Sequence, residues 1–144
     1  MNKLTAYFSH SIRGPAGKDA SDDVVERNCK IAEEVAAWIR KNVPELELYV
    51  PAEHEDFVHI CWKELYLTED QILEIDCKIL GKRDFHIVYV ENNWTGGGIG
   101  IEITAAKKYG KIIFYISSLD EVTAAALRVV VKDLLKGKRD DETS

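Results

Sequence analysis

Apolar positions along the chain follow two rhythms. Four short runs, Leu4 to Phe8, Leu46 to Val50, His86 to Val90 and Lys111 to Ile116, are dense in β-branched and aromatic residues and predict strands. Between them the apolar residues take helical spacing. Val24, Ile31, Val35, Trp38 and Ile39 predict a helix running to about Asn42, which Pro44 ends. Ser21 or Asp22 can cap it, and Asp23 with Glu26 resembles a capping box. Pro51 stops the second strand. From Pro51 to Leu67 the pattern Phe57, Val58, Ile60, Cys61, Trp62 and Leu65 predicts an irregular helix. Thr68 with Gln71 forms a capping-box pair ahead of a helix through Ile72, Leu73, Ile75, Ile79 and Leu80, closed by Gly81. Ile101 to Tyr109 has the composition of a short helix. Ser118 with Glu121 predicts the start of a last helix through Val122, Leu127, Val130, Val131, Leu134 and Leu135. Residues 137–144 predict a charged, frayed tail.

Strands that alternate with helices predict an α/β fold with a parallel sheet covered on both faces. With 144 residues, no internal repeat and no linker, residues 1–136 read as one domain. The expected architecture is doubly wound, flavodoxin- or Rossmann-like, with strand order 2-1-3-4. The connections then wind in opposite directions from the first strand, and a cleft opens between strands 1 and 3 at their carboxyl ends. The loops leaving those ends are His10–Gly17 and Asn92–Gly100, the two most glycine-rich of the chain.

Composition narrows the ligand. A net charge of −6 argues against sequence-independent binding to nucleic acid, which needs a basic face. The three cysteines, Cys29, Cys61 and Cys77, lack metal-ligand spacing and read as small buried hydrophobes in a reducing compartment. No metal or other cofactor is expected. No run approaches the ~20 apolar residues of a membrane span, and Met1 to His10 lacks a signal-peptide core. The expectation is a cytoplasmic protein with a small-molecule ligand, without nucleic-acid or membrane partners.

Ser11, Arg13, Gly14 and Gly17 offer a hydroxyl, a guanidinium and loop amides, a set suited to phosphate. No Gly-Lys-Ser/Thr follows, so this is not a P-loop, and Gly96, Gly97, Gly98 and Gly100 are off the dinucleotide spacing. Glu102 follows those glycines. In the first turn of a helix it would be kept ionised by the helix terminus and could serve as a nucleophile. The simpler reading makes it a favourable first-turn charge and Arg13 a surface ion pair. Asp76 is expected near its helix end, against the dipole, and Asp84 at a strand start, where a structural role suits it. Glu102 with Asp76 would supply the nucleophile and proton donor of glycosyl transfer. His59 and His86 read as satisfied structural histidines, and Trp62 and Trp94 as core residues, although Trp94 lies in the glycine loop.

Tyr7-Phe8-Ser9-His10-Ser11-Ile12-Arg13-Gly14 resembles the opening Tyr-Phe-x-x-Ser-Ile-Arg-Gly of 2′-deoxynucleoside 5′-monophosphate N-hydrolases, in the nucleoside 2-deoxyribosyltransferase superfamily. Asp76 and Asp84 resemble that family's Asp-x7-Asp segment. Gly98-Ile99-Gly100-Ile101-Glu102 resembles its Gly-x-Gly-x-Glu, and Glu53-His54 a Glu-His pair after the second strand. The resemblance spans about residues 4 to 116 in matching order. It implies that Glu102 attacks C1′, that Asp76 assists departure of the base and that Tyr7 orients Glu102. Ser11, Ile12, Arg13 and Gly14, with Gly96 and Gly98, would hold the 5′-phosphate. His10, Glu53, His54, Asp84 and Trp94 would surround base and sugar. It also implies a homodimer whose partner subunit completes the phosphate site. The chain departs from the family at Thr95 and Gly96, where a phosphate-binding serine is usual, and in longer stretches at 92–98 and 51–67. Two rivals remain: a deoxyribosyltransferase passing the sugar to another base, and a nucleotide-binding module without turnover.

Overall fold

The computed structural model describes residues 3–143. Four strands, β1 (Leu4–Ser9), β2 (Leu46–Tyr49), β3 (Phe85–Tyr89) and β4 (Ile113–Ile116), form one parallel sheet in the order β2-β1-β3-β4. Leu4 pairs with Leu46, Ala6 with Phe85 and His86 with Ile113. The α/β class, the parallel sheet and its order are those the alternation of patterns predicts.

Parallel strands covered on both faces read as nearly continuous apolar runs, and β1 and β3 are buried along almost their whole length. Side chains still alternate between faces. Leu4, Ala6 and Phe8 pack with Phe85 and Ile87 against α1 (Asp22–Asn42) and α5 (Glu121–Thr143), where Val35, Ile39, Leu127 and Val131 close the larger core. Tyr7 faces the other way, into a smaller cluster with Leu80 of α3 (Glu69–Gly81) and Ala106 of α4 (Gly97–Lys108). Burying each large apolar side chain contributes about 1.5–3 kcal/mol. α2 (Glu55–Lys63) follows a short 3-10 turn at Pro51–His54, so the irregular stretch holds a real helix.

Local signals held unevenly. Thr68 and Gln71 form the complete capping box. Ser21 caps α1 by accepting from Val24 N–H, so the Asp23–Glu26 pair is not the cap. Asp120 rather than Ser118 caps α5: its carboxylate accepts from Thr123 N–H at 2.8 Å and from the Ser118 hydroxyl at 3.0 Å. Gly81 stays in the helix, and an added Cβ would stand 3.0 Å from the Tyr109 ring, so close packing explains it rather than a left-handed cap. The expected loop at 14–19 contains a 3-10 turn. The tail expected to fray is helical to Thr143, and Lys138 bonds both the Lys3 carbonyl and Asp84. Cys61 is buried, but Cys29 and Cys77 are only half-buried, which corrects the reading of all three as core. Among the described residues no helix is long and apolar enough to cross a membrane.

Candidate active site

A cavity of about 200 Å³ opens at the carboxyl ends of β1 and β3, where the two glycine-rich loops meet. One wall is the loop from His10 to Gly14, leaving β1. Its conformation is anchored from α1, because Asn28 Nδ2 donates to the Ile12 carbonyl at 2.8 Å. Gly14 lies beside that contact with φ of 68°, which favours glycine. His10 sits nearly buried at the wall's base. Its Nε2 accepts from Ala52 N–H at 3.2 Å, and Nδ1–H points to the Ser11 carbonyl at 3.4 Å. Burial lowers its pKa to about 4, against the opposing pull of the Ser11 carbonyl and Glu53, so it is a neutral wedge.

The second wall is built from the glycine loop. After β3 the chain turns through Asn92 and Asn93, both left-handed, at φ of 53° and 58°; asparagine tolerates that conformation better than most residues. Trp94 then folds over Gly96, where a Cβ would come within 2.7 Å of the indole. The glycine there makes room for this chain's own tryptophan. Both line the cavity, with Gly97 and Gly98.

Glu102 projects from α4 on a buried stripe with Ile99 and Ala106. The helix begins at Gly97, so Glu102 stands in its second turn and no acid occupies the first. The helix-terminus argument for its ionisation therefore fails, since that effect fades beyond the first turn. What acts on Glu102 is burial. It raises the carboxyl to about 7, opposed by hydrogen bonds from Tyr7 and Ser9 and reinforced by Asp76. The Tyr7 hydroxyl donates to Oε2 in a short bond, and Ser9 Oγ donates to Oε1 at 2.8 Å. Both donors come from one face of β1, two residues apart, so strand alternation sets the pair. Burial and the Glu102 charge hold the Tyr7 phenol well above its usual range, so it stays a donor.

Two helices complete the cavity with matching stripes. Glu55, Val58, His59 and Trp62 come from α2, and Glu69, Ile72, Leu73 and Asp76 from α3, each at the spacing i, i+3, i+4, i+7. Asp76 lies in the middle of α3 rather than near its end, so no dipole opposes it. Its carboxyl is raised to about 6, first by burial and then by Glu55. Asp76 also borders a second cavity of about 270 Å³ on the other side of α2, lined by Tyr49, His54, Phe57 and Ile79.

Ten of the expected site residues line the first cavity: His10, Ser11, Ile12, Arg13, Gly14, Asp76, Trp94, Gly96, Gly98 and Glu102. Tyr7 stands directly behind Glu102. Three candidates lie elsewhere. Glu53 forks onto Arg40 at 2.7 and 2.8 Å. His54 stacks on Tyr49 beside the second cavity, ring centroids 4.8 Å apart. Asp84 is at the opposite end of β3, bound to Thr5 and Lys138, as its structural reading has it. Arg13 is engaged: Nη1 meets Glu69 Oε1 at 2.6 Å, and the guanidinium carbon sits 4.8 Å from the centroid of the Trp62 ring.

Sequence reasoning passed over Ser9, Glu55 and Glu69, and read His59 and His86 as structural and Trp62 as core. The α2 and α3 stripes carry helical spacing that would have exposed four of them once the phase of each helix was set. Ser9 and His86 had no such signal. Among the described residues no cluster of three or more His, Cys, Asp or Glu side chains is placed to hold a metal. A scan against protein-family models, and searches of curated proteins and of solved structures, found no match to this chain.

Proposed function

We propose that this protein is an N-glycosidase that hydrolyses the N-glycosidic bond of nucleoside 5′-monophosphates, releasing free base and sugar 5-phosphate. One observation carries the reading: Glu102, held by two hydroxyl donors, and Asp76 face a single cavity at the carboxyl end of the sheet. Glu102 attacks C1′ and forms a glycosyl ester while the C1′–N bond breaks. Asp76 gives the departing base its proton, then takes one from the water that hydrolyses the ester. The Ser11–Gly14 loop holds the phosphate, and Trp62 and Trp94 offer apolar faces to the base. Free base released from a panel of monophosphates, detected by chromatography, tests the reading. Ligand-induced thermal stabilisation without base release would instead indicate a nucleotide-binding module.

A second reading has support in the same cavity. Four carboxylates line it, Glu55, Glu69, Asp76 and Glu102, and its one guanidinium already pairs with Glu69. That balance suits an uncharged nucleoside, and transfer of its sugar to another base. Arg13→Ala decides between them. If Arg13 grips phosphate, KM for a monophosphate rises about 10- to 100-fold while that for the nucleoside stays put. An equal effect on both favours the nucleoside. The resemblance to a shared phosphate site makes a homodimer part of the proposal, and sedimentation of an active preparation as a monomer at micromolar concentration would remove it.

A further inference from the structure

Two polar side chains lie behind Glu102, outside the cavity lining. Ser9 and His86 are fully buried, on neighbouring strands β1 and β3, and Ser9 Oγ stands 2.5 Å from His86 Nε2. A hydroxyl has one proton to give. When Glu102 is a carboxylate it can only accept, so the Ser9 proton goes to Oε1. His86 must then donate from Nε2, which leaves Nδ1 without a proton. Nδ1 is one of the buried side-chain atoms with no hydrogen-bond partner among the described residues. An orphaned buried acceptor destabilises a fold and asks for an explanation. The neighbours Phe85, Ile87 and Val88 are apolar and fully buried, so an apolar side chain at this position would have avoided it.

We propose that Ser9 and His86 are positioning residues for Glu102: His86, donating through Nε2, turns the Ser9 hydroxyl proton onto Oε1 and holds the carboxylate charged and oriented for attack. The inference rests on the reading of Glu102 as nucleophile. Burial keeps His86 neutral by lowering its pKa to about 4, so the choice between its tautomers is well defined. The other groups that act on Glu102 or feel its charge are Tyr7 from β1, Tyr49 from β2, and Asp76 and Cys77 from α3. Of these only Tyr7 bonds it, at the other oxygen. Ser9 is therefore the hydrogen-bond donor to Oε1, and His86 acts through it.

Nitrogen-15 NMR of the intact protein above pH 8 reads the tautomer directly. The proton is expected on Nε2 of His86; finding it on Nδ1 overturns the proposal. Carbon-13 NMR of the Glu102 carboxyl reads the consequence. Ser9→Ala should move its titration upward by about one pH unit or more. His86→Leu should move it the same way by less, and His86→Gln, whose amide can donate from a similar place, should leave it near the parent value. In turnover, Ser9→Ala should lower kcat about 10- to 100-fold with KM changed less than about twofold. The double variant Ser9→Ala/His86→Leu should be no slower than Ser9→Ala, because one residue works through the other. An unmoved Glu102 titration in Ser9→Ala, or additive losses in the double variant, would sink the idea. Should His86→Leu not fold, the tautomer and His86→Gln still decide. If the parent releases no base, the glycosidase reading fails, while the tautomer and the titration still report on the relay.

Discussion

Asp84 and Glu102 are carboxylates at opposite ends of the same pair of strands, and β1 serves both from one face. Thr5, Tyr7 and Ser9 point to that face in alternation. Thr5 holds Asp84 through its N–H at 2.8 Å and its hydroxyl at 3.0 Å. Tyr7 and Ser9 hold Glu102. The difference is what surrounds the bonds. Asp84 is partly open to solvent and pairs with Lys138 at 3.0 Å. Burial pushes its pKa up, but the Thr5 amide, Lys138 and the Thr5 hydroxyl together bring it below the usual carboxylate range. Glu102 is nearly buried at the cavity wall, takes its bonds from hydroxyls, and has no ion-pair partner among the described residues. It is raised to about 7. A carboxylate that ties a strand end to a helix is given a cation. Glu102, without one, is left close to its protonation point at neutral pH.

The largest expected contrast is in activity. Glu102→Gln keeps the shape and removes the charge, and should lower kcat on the order of 10³-fold or more with nucleotide binding retained. Asp84→Asn should leave kcat within about twofold. Single-turnover base release measures both. A Glu102→Gln protein that is folded by circular dichroism and still releases base near the parent rate would reduce Glu102 to a structural acid.

Stability should move the other way. Glu102 binds its proton more tightly when folded than when unfolded, so between the unfolded pKa near 4.5 and about 7 it costs stability as pH rises. Glu102→Gln should therefore be more stable than the parent at pH 8, by on the order of 2–3 kcal/mol. The gain should vanish near pH 4. Denaturant melts at the two pH values test this; no gain at pH 8 would mean that hydroxyl bonding fully offsets the burial.

The pH profile is the third test. Under the proposed glycosidase mechanism the reactive state needs Glu102 ionised and Asp76 protonated, groups raised to about 7 and about 6. kcat/KM should follow a bell with its top between those values, falling about tenfold per pH unit on each side. The limbs belong to the pair rather than to either residue. Asp76→Asn, which cannot titrate, should flatten one limb for substrates with good leaving groups.

The smallest effect is expected at Asp84. Asp84→Asn loses charge on a partly exposed ion pair and should destabilise the protein by about 1 kcal/mol at pH 7. Its folded pKa is depressed, so this stability is present above the unfolded pKa and is lost as pH falls through the folded value. The parent and variant melts should therefore converge in acid, as for Glu102→Gln, but here the variant is the less stable one at neutral pH.

Legibility differed by kind of signal. Strands β1 to β4 and helix α1 were plain, because apolar period and proline stops act locally. The Thr68–Gln71 box was equally plain. At α1 the Ser21 cap held and the Asp23–Glu26 pair did not, while at α5 Asp120 took the place of Ser118; geometry chose among hydroxyls and carboxylates a residue or two apart. The cavity's glycine loop and the Ser11–Gly14 wall were legible as unusual composition. The α2 and α3 stripes were not, because Val58, Trp62, Ile72 and Leu73 look the same whether they face a core or a cavity.

The sequence alone determined the element order, the parallel α/β sheet in order 2-1-3-4 and, through it, the meeting of two loops at one cleft. These follow from periodicity and from the handed, short connections that such patterns permit. Only the tertiary structure decided which carboxylates line the cavity, and in what surroundings. Glu102 turned out not to be in a first turn, so a local dipole argument gave way to burial, a quantity that depends on every neighbour at once. Asp84, Glu53 and His54 left the candidate site because each found a partner elsewhere, in Lys138, Arg40 and Tyr49. Ser9 and His86 entered the account because register β1–β3 brings a serine and a histidine, far apart in the chain, to 2.5 Å. Pairing of that kind is a property of the sheet, and no stretch of either strand carries a sign of it.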